Sequence, residues 1–156
     1  MSRIKPIRQQ DKSDCGAACL ASIAGYHGLN MPLARIRDYA STGTEGTNIL
    51  GLTEAAEKMG MAAKGVKGPF DALQHAPLPS IAHVITSDRT QHFVVISSMG
   101  KKYVRCMDPA MGKLCLSQNI FSSALRYPQN QEHALGMPRC RPEIGLNLQD
   151  RNKNHI

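Results

Sequence analysis

Cys15 stands in the run Gln9-Gln10-Asp11-Lys12-Ser13-Asp14-Cys15-Gly16-Ala17-Ala18-Cys19, and a helical pattern begins at or just after it. A thiol at a helix N-terminus sits at the positive end of the macrodipole. That field favours the thiolate, which is the nucleophilic form. Far downstream come Gln91-His92-Phe93-Val94-Val95-Ile96 and then Met107-Asp108-Pro109. A cysteine, a histidine and an aspartate in that order, with a glutamine ahead of the cysteine, are the parts of a cysteine-peptidase site. Two glutamines, Gln9 and Gln10, are adjacent, and the chemistry alone does not choose between them.

These residues need elements to hold them. Ala18, Cys19, Ser22, Ile23 and Tyr26 follow helical spacing, with Gly25 and Gly28 weakening and then ending the helix. Pro32 opens a second short helix through Leu33, Ile36 and Tyr39. After a polar loop from Ser41 to Gly46, Thr47 or Asn48 caps a helix from Ile49 to Met59, which Gly60 closes. The pattern then changes to strands at Met61 to Val66 and Leu78 to Thr86, around a short helical piece from Phe70 to Gln74. His92 to Ser98 and Lys101 to Met107 form a hairpin across Met99-Gly100, followed by a strand at Lys113 to Leu116 and a short helix at Asn119 to Leu125. Helices first and an antiparallel sheet second indicate an α+β fold. His92 begins one strand and Asp108 ends the next, so a hairpin brings both to one end of the sheet. Asp108 precedes a proline, which restricts it to extended conformations. Gly16 leaves room for backbone beside the nucleophile.

The length of 156 residues suggests one compact domain, here 1–127. Residues 128–156, broken by Pro128, Pro138 and Pro142 and rich in polar side chains, read as a poorly ordered tail. No run approaches the roughly 20 apolar residues of a spanning helix. The charged N-terminus has no apolar segment behind it, so it is not a secretory signal. A soluble, cytoplasmic chain is the expectation. Five cysteines, an odd number at irregular spacing, do not make a disulfide framework. Cys15 and Cys19 lack a second ligand pair, so zinc is not expected. The net charge of +7 is spread along the chain, and only 4% of residues are aromatic. No nucleic-acid motif accompanies that charge, and it reads as a solvated basic surface.

The glutamine, the Asp-Cys-Gly-x-x-Cys run, the His-Phe-Val-Val-Ile strand and the Asp-Pro-x-x-Gly turn together resemble the bacteriocin-processing, or double-glycine leader, cysteine peptidases. These usually form the N-terminal domain of peptidase-containing ABC transporters. The resemblance covers about residues 5 to 125. It implies a papain-like fold, with the N-terminal helices packed on the C-terminal antiparallel sheet. By the same resemblance Cys15 matches the nucleophile, His92 the general base and Asp108 the residue that orients it. Gln9, six positions before the cysteine, matches the oxyanion-hole glutamine. The implied activity is cleavage of a precursor peptide after a Gly-Gly leader. It is coupled to an ABC exporter in cis or in trans, at the inner face of the cell membrane, and needs no cofactor.

Two other classes stay open at this point. Some transporter relatives keep the fold without the catalytic cysteine and only dock a leader, a reading the intact Cys15 opposes. The triad alone also fits a papain-like thiol amidase or acyltransferase. Taken singly, each residue has a plainer reading: Cys15 as a buried structural thiol, His92 as a satisfied strand-edge histidine, Asp108 as a turn residue. Cys19, Cys106 and Cys115 read as small core residues, and Cys140 as an exposed thiol of the tail.

Overall fold

The computed structural model describes residues 4–67, 70–86, 89–124 and 143–150. A single turn of 3-10 helix, Lys12–Asp14, leads into α1 (Cys15–Tyr26); α2 (Leu33–Tyr39) and α3 (Ile49–Lys58) complete a helical first half. The second half runs β1 (Met61–Lys67), α4 (Phe70–Leu73), β2 (Ser80–Ile85), β3 (Gln91–Met99), β4 (Tyr103–Asp108), β5 (Gly112–Ser117), α5 (Gln118–Ala124) and β6 (Glu143–Asp150). The strands form one sheet in the order β1-β6-β2-β3-β4-β5, antiparallel at every pairing. This is the expected α+β arrangement of N-terminal helices and a C-terminal antiparallel sheet. Among the described residues no helix is long and apolar enough to cross a membrane.

Both faces of the central strands are covered, which explains the unbroken apolar run Phe93-Val94-Val95-Ile96. Phe93 and Val95, with Ile81 and Met107, join the core under α1, α2 and α3. Val94 and Ile96, with Ala82, Val84 and Cys106, face the opposite way onto Leu73 and Phe121. Successive strand residues point to opposite faces, so a strand between two layers must be apolar throughout.

Helix α1 is the axis of the site half. Every residue from Cys15 to Ala24 is buried. Small side chains make this possible, since Gly16, Ala17, Ala18, Ala21 and Ala24 let neighbouring segments approach closely. A Cβ on Gly16 would lie 2.6 Å from Thr47 Cγ2 and 3.3 Å from the Leu52 methyl groups. The space beside Cys15 is therefore taken by the Thr47 and Leu52 side chains rather than by backbone. Tyr26, expected on the apolar face, is exposed at the last turn of α1.

Other local expectations hold with small shifts. Asn48 caps α3 by accepting a 2.8 Å hydrogen bond from Gly51 N–H. Pro32 is the N-cap of α2 rather than its first turn, because its ψ of 141° is extended. Cys115 is exposed. Its neighbours Leu114 and Leu116 turn toward the core, and strand alternation sends Cys115 the other way.

The reading of residues 128–156 as an unstructured tail fails for Glu143–Asp150. These residues form β6, paired with β1 from Met61↔Asp150 to Lys67↔Glu143 and touching β2 at Ser80↔Asn147. The signal was present: Ile144, Leu146 and Leu148 alternate with polar residues, the period of a strand. It was outweighed by the prolines and polar residues on either side. The rest of that segment, including Cys140, lies outside the described residues.

Candidate active site

The chain is delivered to Cys15 by a reciprocal cap. Asp11 accepts a 2.7 Å hydrogen bond from Ser13 N–H, and the Asp14 carboxylate accepts one of 3.2 Å from Asp11 N–H. Such a box fixes the entry angle of a helix. Here it fixes Cys15 as the first residue of α1, where backbone N–H groups lack intrahelical acceptors. Cys15 is buried but for a small exposed fraction of 7%.

His92 and Asp108 come together through the β3–β4 hairpin. Val95 pairs with Met107, and continuing that register brings Asp108 beside Val94, diagonal to His92. His92 Nε2 lies 2.8 Å from Asp108 Oδ1, with both side chains nearly buried. The same oxygen accepts Ala110 N–H at 2.7 Å and Met111 N–H at 3.2 Å. Asp108 therefore holds its turn and the imidazole with one atom. Cys15 acts on the same ring, favouring its charged form. Since Nε2 is engaged by Asp108, Nδ1 is the nitrogen left for the sulfur.

The electrostatics follow from this chain of contacts. Burial pulls the His92 imidazolium down, but the hydrogen bonds and charges of Asp108 and Cys15 outweigh it and raise its pKa from 6.5 to about 9. Burial works on Asp108 in the opposite sense and is likewise overcome. The His92 hydrogen bond and the N–H groups of Ala110 and Met111 hold its carboxyl below 3.8. Two neighbouring thiols behave differently. Burial pushes Cys19 well above 9.0 and Cys106 to about 11, so both remain protonated packing residues near neutral pH.

The two glutamines are separated by their surroundings. Gln10 is exposed, while Gln9 is half-buried and its Oε1 is buried without a hydrogen-bond partner among the described residues. Gln9 N–H donates to Pro109 O at 3.1 Å, and the Arg8 guanidinium donates to Ala110 O at 3.1 Å. The segment carrying Gln9 is thus tied to the turn that carries Asp108. Sequence reasoning missed Asp14 and Arg37. Asp14 is fully buried, and Arg37 Nη1 of α2 approaches its Oδ1 at 3.0 Å, an ion pair without hydrogen-bond alignment. Nothing in the spacing of the two residues announced that contact.

The model of the Peptidase C39 family matches residues 3–125. The chain belongs to that family. Its C39 relatives include the lactococcin-G-processing and transport ATP-binding protein LagD of Lactococcus lactis subsp. lactis. LagD is 36% identical over 120 residues, covering 76% of this chain and 17% of LagD. The transport/processing ATP-binding protein ComA of Streptococcus pneumoniae R6 is 36% identical over 107 residues, covering 67% of this chain and 15% of ComA. The C39 chain thus spans about a sixth of the length of these relatives. Among solved structures it is similar to the peptidase domain of Streptococcus ComA, a bi-functional ABC transporter of a quorum-sensing pathway. That match has a TM-score of 0.77 at 27% identity and covers 96% of this chain and 100% of that one. A double glycine motif protease from an AMS/PCAT transporter, solved in complex with its leader peptide, shares the fold. There the TM-score is 0.74 at 23% identity, covering 95% of this chain and 92% of that one.

Proposed function

We propose that this chain is a cysteine endopeptidase that removes double-glycine leaders from precursor peptides, with Cys15 as nucleophile, His92 as general acid and base, Asp108 as its orienting partner and Gln9 as an oxyanion donor. The observation that carries the reading is the His92 imidazole held 2.8 Å from Asp108, with Cys15 at the head of α1 also favouring its charged form. The names of the relatives, which process and transport peptides, supply the substrate class.

In this reading the Cys15 thiolate attacks the scissile carbonyl carbon. A C–S bond forms as the carbonyl π pair moves onto oxygen. The Cys15 backbone N–H and the Gln9 side-chain amide receive that oxyanion. The His92 imidazolium gives its proton to the leaving amine as the C–N bond breaks. The neutral ring then takes a proton from water, whose hydroxide attacks the thioester and frees the acyl product and the thiolate. Asp108 holds the ring in one orientation and stabilises its charged form throughout.

Recognition of the leader calls for an apolar surface upstream of the cut. A cavity of about 680 Å³ opens along the C-terminal half of α1, lined by exposed Ile7, Tyr26 and Leu29 together with Met31 and Leu33. At about 1.5 Å per residue it begins some 9 Å from Cys15 along the helix. That distance and lining suit the hydrophobic anchors of an amphipathic leader helix. The partner that takes the cleaved peptide is an ABC exporter, in cis or in trans, at the inner face of the membrane.

Incubation of the protein with a synthetic Gly-Gly leader precursor tests the proposal. Mass spectrometry is expected to find cleavage after the second glycine by the wild type and none by Cys15→Ala. Full cleavage by that variant refutes the assignment. Tight leader binding without turnover under reducing conditions points instead to a docking domain. A transferred acyl group, or ammonia release, points to a thiol enzyme of other specificity.

A further inference from the structure

We propose that Asp14 is a positioning residue which, paired with Arg37, holds the segment 9–11 so that the Gln9 amide faces the nucleophile. The inference rests on the peptidase reading above and extends it to two residues outside the triad.

Asp14 is the residue immediately before Cys15, and its side chain is fully buried. A buried carboxylate needs compensation, because leaving water costs it more than any single contact returns. Its two oxygens divide the work. Oδ2 accepts Gln10 N–H and Asp11 N–H, each at 3.2 Å. Oδ1 faces Arg37 Nη1 at 3.0 Å. The same guanidinium nitrogen lies 3.9 Å from Asp11 Oδ2, so one cation bridges both acids of the approach to α1.

The segment 8–11 is consequently held from two sides. On one, Gln9 N–H and the Arg8 guanidinium reach Pro109 O and Ala110 O, behind Asp108. On the other, Gln10 and Asp11 N–H reach the carboxylate that adjoins Cys15. Gln9 sits between these two anchors, with no side-chain hydrogen bond of its own to fix it among the described residues. With Oε1 unpartnered among the described residues, the direction of its amide follows how the backbone of this segment is held. Loosening either anchor frees it, and a displaced oxyanion donor stabilises the transition state poorly.

A double-mutant cycle between Asp14→Asn and Gln9→Ala tests this, read on kcat for a Gly-Gly leader peptide. Asp14→Asn is expected to lower kcat about tenfold with KM within twofold, part of the 10²–10³ lost with the donor itself. In the Gln9→Ala background the same change is expected to cost less than about twofold, because residues acting through one another are non-additive. Iodoacetamide alkylation of Cys15 is expected to stay within about twofold of wild type, since the substitution alters neither the thiol nor the imidazole. An equal loss of kcat in both backgrounds, or a fall in alkylation matching the fall in kcat, overturns the proposal. Should Asp14→Asn fail to fold, Arg37→Gln, at a partly exposed side chain, enters the same cycle with the same expected pattern. A parallel reading uses affinity for a short peptide aldehyde ending in glycinal. The Cys15 sulfur adds to its carbonyl carbon, the carbonyl pair moves to oxygen, and that oxyanion occupies the same site. A wild type that binds the aldehyde but cuts no leader sinks the proposed function, while the aldehyde cycle still decides the role of Asp14.

Discussion

Replacement of Asp108 by Asn separates charge from geometry at the site. The Asn Oδ1 still accepts Ala110 and Met111 N–H, so the turn after β4 survives, and the imidazole loses only the charge beside it. In the wild type His92 titrates at about 9, against 6.5 for an unperturbed imidazole. At about 1.4 kcal/mol per tenfold, that rise amounts to about 3 kcal/mol of preference for the imidazolium. Without the Asp108 charge, burial regains weight and the midpoint is expected to fall toward 6.5. At pH 7.5 the protonated share of the ring then drops from about 97% to about 10%. In the proposed mechanism a largely deprotonated ring cannot serve the leaving amine, so kcat/KM is expected to fall between about tenfold and 10²-fold. The alkaline limb of the pH–rate profile should move down from about 9 toward 6.5 with it. NMR titration of the labelled His92 ring reads the midpoint directly, and leader cleavage reads the rate. A midpoint within half a pH unit of wild type in the Asn variant, or kcat/KM within threefold, would refute the view that Asp108 sustains the charged imidazole.

Three further outcomes are expected. Gln9→Ala should lower kcat about 10²–10³-fold with Cys15 alkylation retained, whereas Gln10→Ala should stay within about twofold; the reverse order in a cleavage assay would exchange the two roles. Gly51→Ala places a Cβ 2.5 Å from the Ala40 carbonyl oxygen and 2.6 Å from Thr47 Oγ1. Denaturant unfolding should show a loss of about 1–3 kcal/mol, as overpacking against backbone does. The pH dependence of stability carries a third. The raised His92 pKa contributes stability fully present below 6.5 and lost as pH rises through about 9. The lowered Asp108 pKa contributes stability present above 3.8 and lost as pH falls through its folded value. The stability difference between wild type and His92→Ala should therefore be level between about pH 4 and 6.5 and shrink toward pH 9. A difference that grows over that alkaline range contradicts the pairing.

Much of the candidate site is legible in the sequence because its parts sit where local rules operate. Cys15 follows a polar run that caps a helix start, His92 opens an apolar strand, and Asp108 precedes a proline at a strand end. Each location is set by short-range pattern, and each element was readable to within a few residues. Strand β6 was not legible, because its alternation of Ile144, Leu146 and Leu148 is surrounded by residues that break structure. Its pairing with β1 and β2 joins strands distant in sequence, and register of that kind has no local signal. Cys115 was misread as core for a related reason: alternation tells which residues share a face, but not which face meets the interior.

The sequence by itself determined the chemical inventory of this protein: a thiol at a helix start, an imidazole and a carboxylate on adjacent strands, and an amide ahead of them. Those follow from residue types, periodicity and caps, all of which act over a few neighbouring residues. Only the tertiary structure decided which glutamine is half-buried beside the turn of Asp108, which thiols are held protonated, and that Arg37 of α2 reaches the carboxylate next to Cys15. Burial and charge pairing are properties of three-dimensional neighbours, and the desolvation that sets them arises only once the chain has packed helix against sheet.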